Sequence, residues 1–151
     1  MMETSELNSI LYGNSATRRY FIGTFPACEF PITRRQKYCF VTNTDRHDGA
    51  GKHWNSWFVC RDKLYFFDSF GRQPRDKDFP NEYNDFIKKF NIVEYTKTPI
   101  QAPESMLCGM FCVHFIYVMS FGLNFMYFLS EYYNFLKLND DVVFQFINSI
   151  Q

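Results

Sequence analysis

Gln101-Ala-Pro-Glu-Ser-Met-Leu-Cys108-Gly-Met-Phe-Cys-Val-His-Phe-Ile-Tyr-Val-Met119 is a polar, proline-containing loop that ends at a cysteine, followed by an uncharged apolar run. Such a run predicts a buried helix with Cys108 at its N-terminus. Unpaired backbone N–H groups and the macrodipole favour a negative atom there. A thiol at such an end is more easily ionised, and the thiolate is its nucleophilic form. By itself the stretch also fits a small buried hydrophobe, as unpaired cysteines often are. The polar residues upstream tip the reading towards chemistry.

From Ser105 to Ser130 there is no Asp, Glu, Lys or Arg. That is long enough to span a bilayer. Cys108, Gly109, His114, Ser120, Gly122 and Asn124 interrupt it, and Gly122 splits it into two shorter helical pieces. A buried central helix followed by a second packed helix, with no membrane span, is the better reading.

Working outward, residues 3–12 predict a short helix with Leu7, Ile10 and Leu11 at helical spacing. Tyr20–Phe25 is a short apolar segment ended by Pro26, and residues 38–43 alternate as a strand. Thr44–Lys52 is polar and glycine-rich, a surface loop. His53–Cys60, a turn at Arg61-Asp62-Lys63 and Leu64–Asp68 form a hairpin. Residues 80–90 predict a helix and 91–95 a strand. Helices near 123–137 and 140–149 follow the Cys108 helix, with Asn139 or Asp140 as the N-cap of the last.

The chain has 151 residues, suited to one domain over 1–151 with a single core. Nineteen Phe and ten Tyr make that core aromatic-rich. Sixteen basic and sixteen acidic residues leave no net charge, hence no global pull towards nucleic acid or anionic membrane. Arg18-Arg19, Arg34-Arg35 with Lys37, Arg72/Arg75/Lys77 and Lys88-Lys89 read as solvated surface charge. Five cysteines, an odd number without paired metal-type spacing, and no signal peptide point to a reducing intracellular compartment rather than secretion. No metal site follows from Cys28, Cys39, Cys60 and His114.

A cysteine peptidase needs a thiolate, an imidazole to ionise it, a group to orient the imidazole, and oxyanion donors. His53 sits where the glycine loop enters a strand. Asp68 ends the partner strand, so the hairpin brings the two together at its open end. Gln101, seven residues before Cys108, supplies an amide beside the Cys108 backbone N–H. Trp54 shields the imidazole, Gly109 follows the nucleophile, and Asn43, His47 and Asp48 border a substrate groove. His47 ranks below His53 as a base. Cys112, His114 and Trp57 read as core.

Gly51-Lys-His53-Trp54, Leu64-Tyr-Phe-Phe-Asp68-Ser-Phe-Gly71 and Gln101–Cys112 together resemble the adenovirus proteases, the adenains, and more distantly the proteases that trim ubiquitin-like modifiers. The similarity runs over roughly residues 5–120, with weaker matches at Tyr20–Thr24 and Val41–Thr44. It implies an α+β fold, a mixed β-sheet packed against helices, with a central helix starting at the nucleophile. It also implies roles: His53 as base, Asp68 as orienting acid, Gln101 as oxyanion donor and Cys108 as nucleophile. The implied activity is endopeptidase cleavage of viral capsid and core precursors during virion maturation, often after small residues, in the infected cell and the virion. Deconjugation of ubiquitin-like modifiers, or a catalytically silent binding protein of the same fold, are the alternatives.

Three features depart from the family. Adenovirus enzymes commonly carry Glu where Asp68 stands. They are activated by a peptide disulfide-linked to a cysteine shortly after the helix preceding Gln101, whereas Lys88–Glu94 has none. They are also basic and use DNA as a cofactor, while this chain is neutral. The resemblance therefore implies a monomer with no required cofactor, weak or no nucleic-acid binding, and at most a non-covalent peptide or DNA activator.

Overall fold

Alternating apolar residues in three consecutive segments build the centre of the molecule. The structure, a computed structural model, describes residues 2–44 and 53–151. His47, Asp48 and the loop they occupy lie outside the described residues. Five strands, β1 (Phe21–Phe25), β2 (Lys37–Asn43), β3 (Trp54–Cys60), β4 (Lys63–Phe67) and β5 (Ile92–Tyr95), lie in that spatial order. The outer pairs β1–β2 and β4–β5 are parallel, and the inner pairs are antiparallel. The sheet is thus mixed, and with its helices the fold is α+β, as the family resemblance implies.

Cys60 faces Lys63 across the hairpin, so the turn is Arg61-Asp62 alone, with Arg61 at φ 58°. Asp68 falls one residue beyond β4, not within it. Continuing the β3–β4 register past Ser56 opposite Phe67 sets Asn55 beside Asp68.

Strand alternation sends side chains to two cores. Val41, Trp54, Phe58 and Phe67 pack against α1 (Thr4–Gly13) and the buried α3 (Cys108–Ser120) through Leu7, Leu11, Phe111 and Phe115. On the other face Phe40, Trp57 and Phe66 meet Tyr83, Phe86 and Ile87 of α2 (Asn81–Ile87). Contacts there are largely edge-to-face, as between Trp57 and Tyr83 at 4.8 Å. Helix α2 is shorter than the predicted 80–90 because the chain leaves it to deliver the Asn91 and Ile92 N–H groups to the Asp62 carbonyl.

The charge-free run does divide at Gly122. Its φ of 77° lets Gly122 N bond Met119 O and Leu123 N bond Val118 O, which closes α3. Among the described residues no helix is long and apolar enough to cross a membrane. The next helix, α4, covers only Phe125–Ser130, with Asn124 accepting from Tyr127 N as its cap. The predicted extension to 137 fails because buried Asn139 claims the backbone of Tyr133, accepting from its N–H and donating to its carbonyl. Asn139 is therefore no N-cap. Helix α5 (Asn139–Ile150) follows a single 3₁₀ turn (Leu136–Leu138), and Leu138, rather than Asn139 or Asp140, stands at its N-cap position with no side-chain cap.

Asn139 also donates to Ile100 O, and Asp140 accepts from Ser105 Oγ at 2.7 Å. The C-terminal helix thereby holds the loop that carries Gln101.

Candidate active site

His53, Asp68, Gln101 and Cys108 are each at least 90% buried, with exposures of 7%, 1%, 1% and 2%. His53 sits immediately before β3, and its carbonyl accepts from Thr44 N, fixing the strand entry. Its Nε2 bonds Asp68 Oδ1 at 2.5 Å. Cys108, the first residue of α3, interacts with the same ring and favours its protonated form. The expected hairpin geometry thus joins His53 and Asp68, and the first turn of α3 brings Cys108 close enough to act on the ring.

Burial alone would push the His53 imidazole towards neutrality. The hydrogen bonds to Asp68 and Cys108, with the charge of Asp68, outweigh it and hold the ring up to about 9. For Asp68, burial would raise the carboxyl. Hydrogen bonds from His53 and Arg72, and their charges, win and hold it below its ordinary range. Among the described residues five contacts converge on this carboxylate. Oδ1 takes His53 Nε2, Asn55 Nδ2 at 2.8 Å and Arg72 Nη2 at 3.3 Å. Oδ2 takes the backbone N and Nε of Arg72, both at 3.0 Å.

Arg72 corrects the reading of its cluster as solvated charge. Its guanidinium is half-buried, forks onto Asp68 and lies 4.6 Å over the Phe79 ring. A basic residue four positions after the acid was the available signal.

Gln101 is fixed from both ends. Its Oε1 accepts from Ser69 Oγ at 2.5 Å, and its Nε2 donates to Ser105 O at 2.8 Å. The Ser69 carbonyl also accepts from the backbone N–H groups of Ile100 and Gln101. Ser69 therefore couples the acid-bearing and glutamine-bearing loops. An amide held this way keeps one Nε2 proton unspent by Ser105.

The two loops touch only because residue 71 is glycine. At Gly71, with φ 78°, a Cβ would stand 2.8 Å from Lys97 O and from Pro99 N. Both are backbone atoms, so neither can swing away. Gly71→Ala is expected to cost more than about 1 kcal/mol. Thermal unfolding should show a fall of at least about 2–4 °C, and an unchanged Tm would refute the close approach.

The remaining candidates divide. Trp54 is buried and donates its indole N–H to Met2 O, while its Cδ1 would lie 3.2 Å from a Cβ at Gly109. Gly109 thus lets the start of α3 close onto β3. The ring stacked on His53 is Phe70, with centroids 5.0 Å apart. Asn43 ends β2, opposite Trp54. Cys112 is fully buried, its Sγ 3.4 Å from Trp54 O, and burial pushes its thiol up. Buried His114 bonds Tyr132 OH through Nδ1 and is lowered to about 4 by burial.

The family described as adenovirus endoprotease matches residues 21–150. The chain is 31% identical over 112 residues to a protease of Bovine adenovirus 2, covering 65% of this chain and 54% of that one. It is 29% identical over 114 residues to a protease of Bovine adenovirus B serotype 3, covering 65% and 55%. The chain thus spans about half the length of these curated relatives. The crystal structure of the ASFV pS273R protease shares the fold, with a TM-score of 0.61 over 95% of this chain and 66% of that chain at 15% identity.

Proposed function

This chain belongs to the adenovirus endoprotease family, and on that premise we propose that it is a viral thiol endopeptidase cleaving capsid and core precursor polypeptides during virion maturation. The observation that carries the reading is the buried imidazole of His53. It is gripped by the Asp68 carboxylate through Nε2, and the Cys108 thiol is close enough to favour its protonated form.

The roles follow from that arrangement. Proton transfer from Cys108 to His53 gives a thiolate–imidazolium pair, and Asp68 steadies the cation. The sulfur attacks the scissile carbonyl carbon while the carbonyl π electrons move to oxygen. The spare Gln101 amide proton and the Cys108 backbone N–H, at the unsatisfied start of α3, stabilise the oxyanion. Collapse expels the amine, which takes its proton from His53. Water, deprotonated by His53, then releases the acyl group and restores the thiol. Trp54 and Gly109 shape the wall beside the sulfur, and Asn43 borders the groove.

Nothing in these steps needs a metal or organic cofactor. Covalent activation through Lys88–Glu94 has no cysteine to use, so a peptide acting there, or DNA, binds non-covalently. The enzyme works as a monomer in the infected cell and the virion, where a reducing environment keeps its free thiols intact.

The test is to incubate the purified chain with candidate capsid and core precursors and sequence the new termini. Discrete cleavage, often after small residues, is expected. A panel of precursors left whole would overturn the assignment.

A further inference from the structure

A line of buried polar side chains crosses the α2 face of the sheet and ends on Asp68. Trp57 Nε1 donates to Thr42 Oγ1 at 2.9 Å. Thr42 Oγ1 and Tyr83 OH are 2.8 Å apart. Tyr83 OH donates to Asn55 Oδ1 at 2.6 Å, and Asn55 Nδ2 donates to Asp68 Oδ1 at 2.8 Å. Trp57, Thr42, Tyr83 and Asn55 are all fully buried.

The chemistry of the groups fixes the direction of every proton. Indole N–H can only donate, and an amide oxygen can only accept. The single Tyr83 proton is therefore spent on Asn55, so the Thr42 hydroxyl must donate to Tyr83. Asn55 cannot be turned round, because its Oδ1 would then face the Asp68 carboxylate. All four donors point towards the acid. In a low-dielectric interior, bonds aligned head to tail polarise one another. Three elements, β2, β3 and α2, contribute to the line.

We infer that Tyr83, backed by Thr42 and Trp57, is a positioning residue that acts through Asn55 to aim the Asp68 carboxylate at His53. This rests on the reading of His53, Asp68 and Cys108 as the reactive group. Arg72 grips Asp68 mainly through Oδ2, whereas the Asn55 line holds Oδ1, the oxygen His53 uses. The two restraints together leave the carboxylate one orientation. Among the described residues the charged or titratable groups that face the pair are Arg72, Cys108, Cys112 and Tyr83 itself; Tyr83→Phe changes only the last of these, and Thr42→Val changes none.

Tyr83→Phe removes one oxygen and keeps the ring. NMR titration of the His53 ring protons should show its midpoint fall by about half a pH unit. kcat/KM for a peptide substrate should fall about 5- to 10-fold, on the scale of one lost hydrogen bond in an aligned set. Thr42→Val should move both readouts the same way by less, and Thr42→Ser, which keeps the hydroxyl, should restore them. A lowered Tm with an unmoved His53 midpoint would make Tyr83 a packing residue and overturn the inference. Because the titration reads the His53–Asp68 pair whether or not the chain cleaves peptides, failure of the peptidase reading shows separately, as full activity in Cys108→Ala.

Discussion

Cys108→Ala is expected to lower kcat/KM by about 10⁴-fold or more, on the precedent of nucleophile deletions in other triads. The fold should survive it. Cys108 is buried at the first turn of α3 and packs as a small hydrophobe, and alanine is the better helix former. The loss is chemical: no other thiol can take over. Cys112 lies one helical turn further on, but it is fully enclosed, its thiol is pushed up by burial, and it sits against the Trp54 carbonyl. Gln101→Ala provides the internal scale. Losing one prearranged oxyanion donor typically costs about 10²–10³, so the two variants should separate by at least an order of magnitude. Steady-state kinetics on one peptide, with circular dichroism to verify folding, decides it. Wild-type rates in Cys108→Ala would remove Cys108 from the mechanism.

How much of this was legible in the chain varies with the range of the interaction. Strands β2 to β5 rest on local alternation and fall within a residue of their expected bounds, the start of α3 rests on the switch from polar loop to apolar run at Cys108, and its end rests on Gly122. His53 and Asp68 meet because a hairpin joins them, a short-range relation that spacing encodes even though the turn has two residues rather than the three the sequence suggests. Gln101 was named, but its anchor Ser69 was not, since their contact links positions 32 apart. Asn55 looked like an ordinary member of an alternating strand. Its role depends on Tyr83, brought across the sheet by a helix whose amphipathic pattern announces only a core face. Arg72 reads with its charged neighbours because the one local signal, a basic residue four positions after Asp68, does not show that the guanidinium is half-buried and forked onto the acid. The misjudged ends of α4 and α5 have one cause. Asn139 has the residue type of an N-cap but spends its amide on Tyr133 and Ile100, a tertiary demand that local propensity does not contain.

Asp68→Asn should be the most informative change to the pair, because it keeps the shape and deletes the charge. In the wild type, burial pushes His53 towards neutrality, and Asp68 with Cys108 holds it at about 9. Without the carboxylate the burial cost remains and the main compensation is gone. The high-pH limb of kcat/KM should then move from near 9 to lower pH, and the rate at pH 7 should fall by about 10²-fold or more. Stability must follow the same sign. A folded-state value above the free histidine value of about 6.5 means the native state binds this proton more tightly. The resulting stability is whole below about 6.5 and is lost as pH rises through about 9. The Asp68 share runs oppositely. Its carboxyl is held low, so that share is present above about 4 and is lost on acidification below it. The Tm gap between wild type and Asp68→Asn should therefore be widest between about pH 4 and 6.5 and shrink towards pH 9.5. It will not vanish, because the Arg72–Asp68 fork persists at high pH. A gap that stays constant from pH 6 to 9.5, with an unmoved alkaline limb, would mean that Asp68 does not hold the proton on His53.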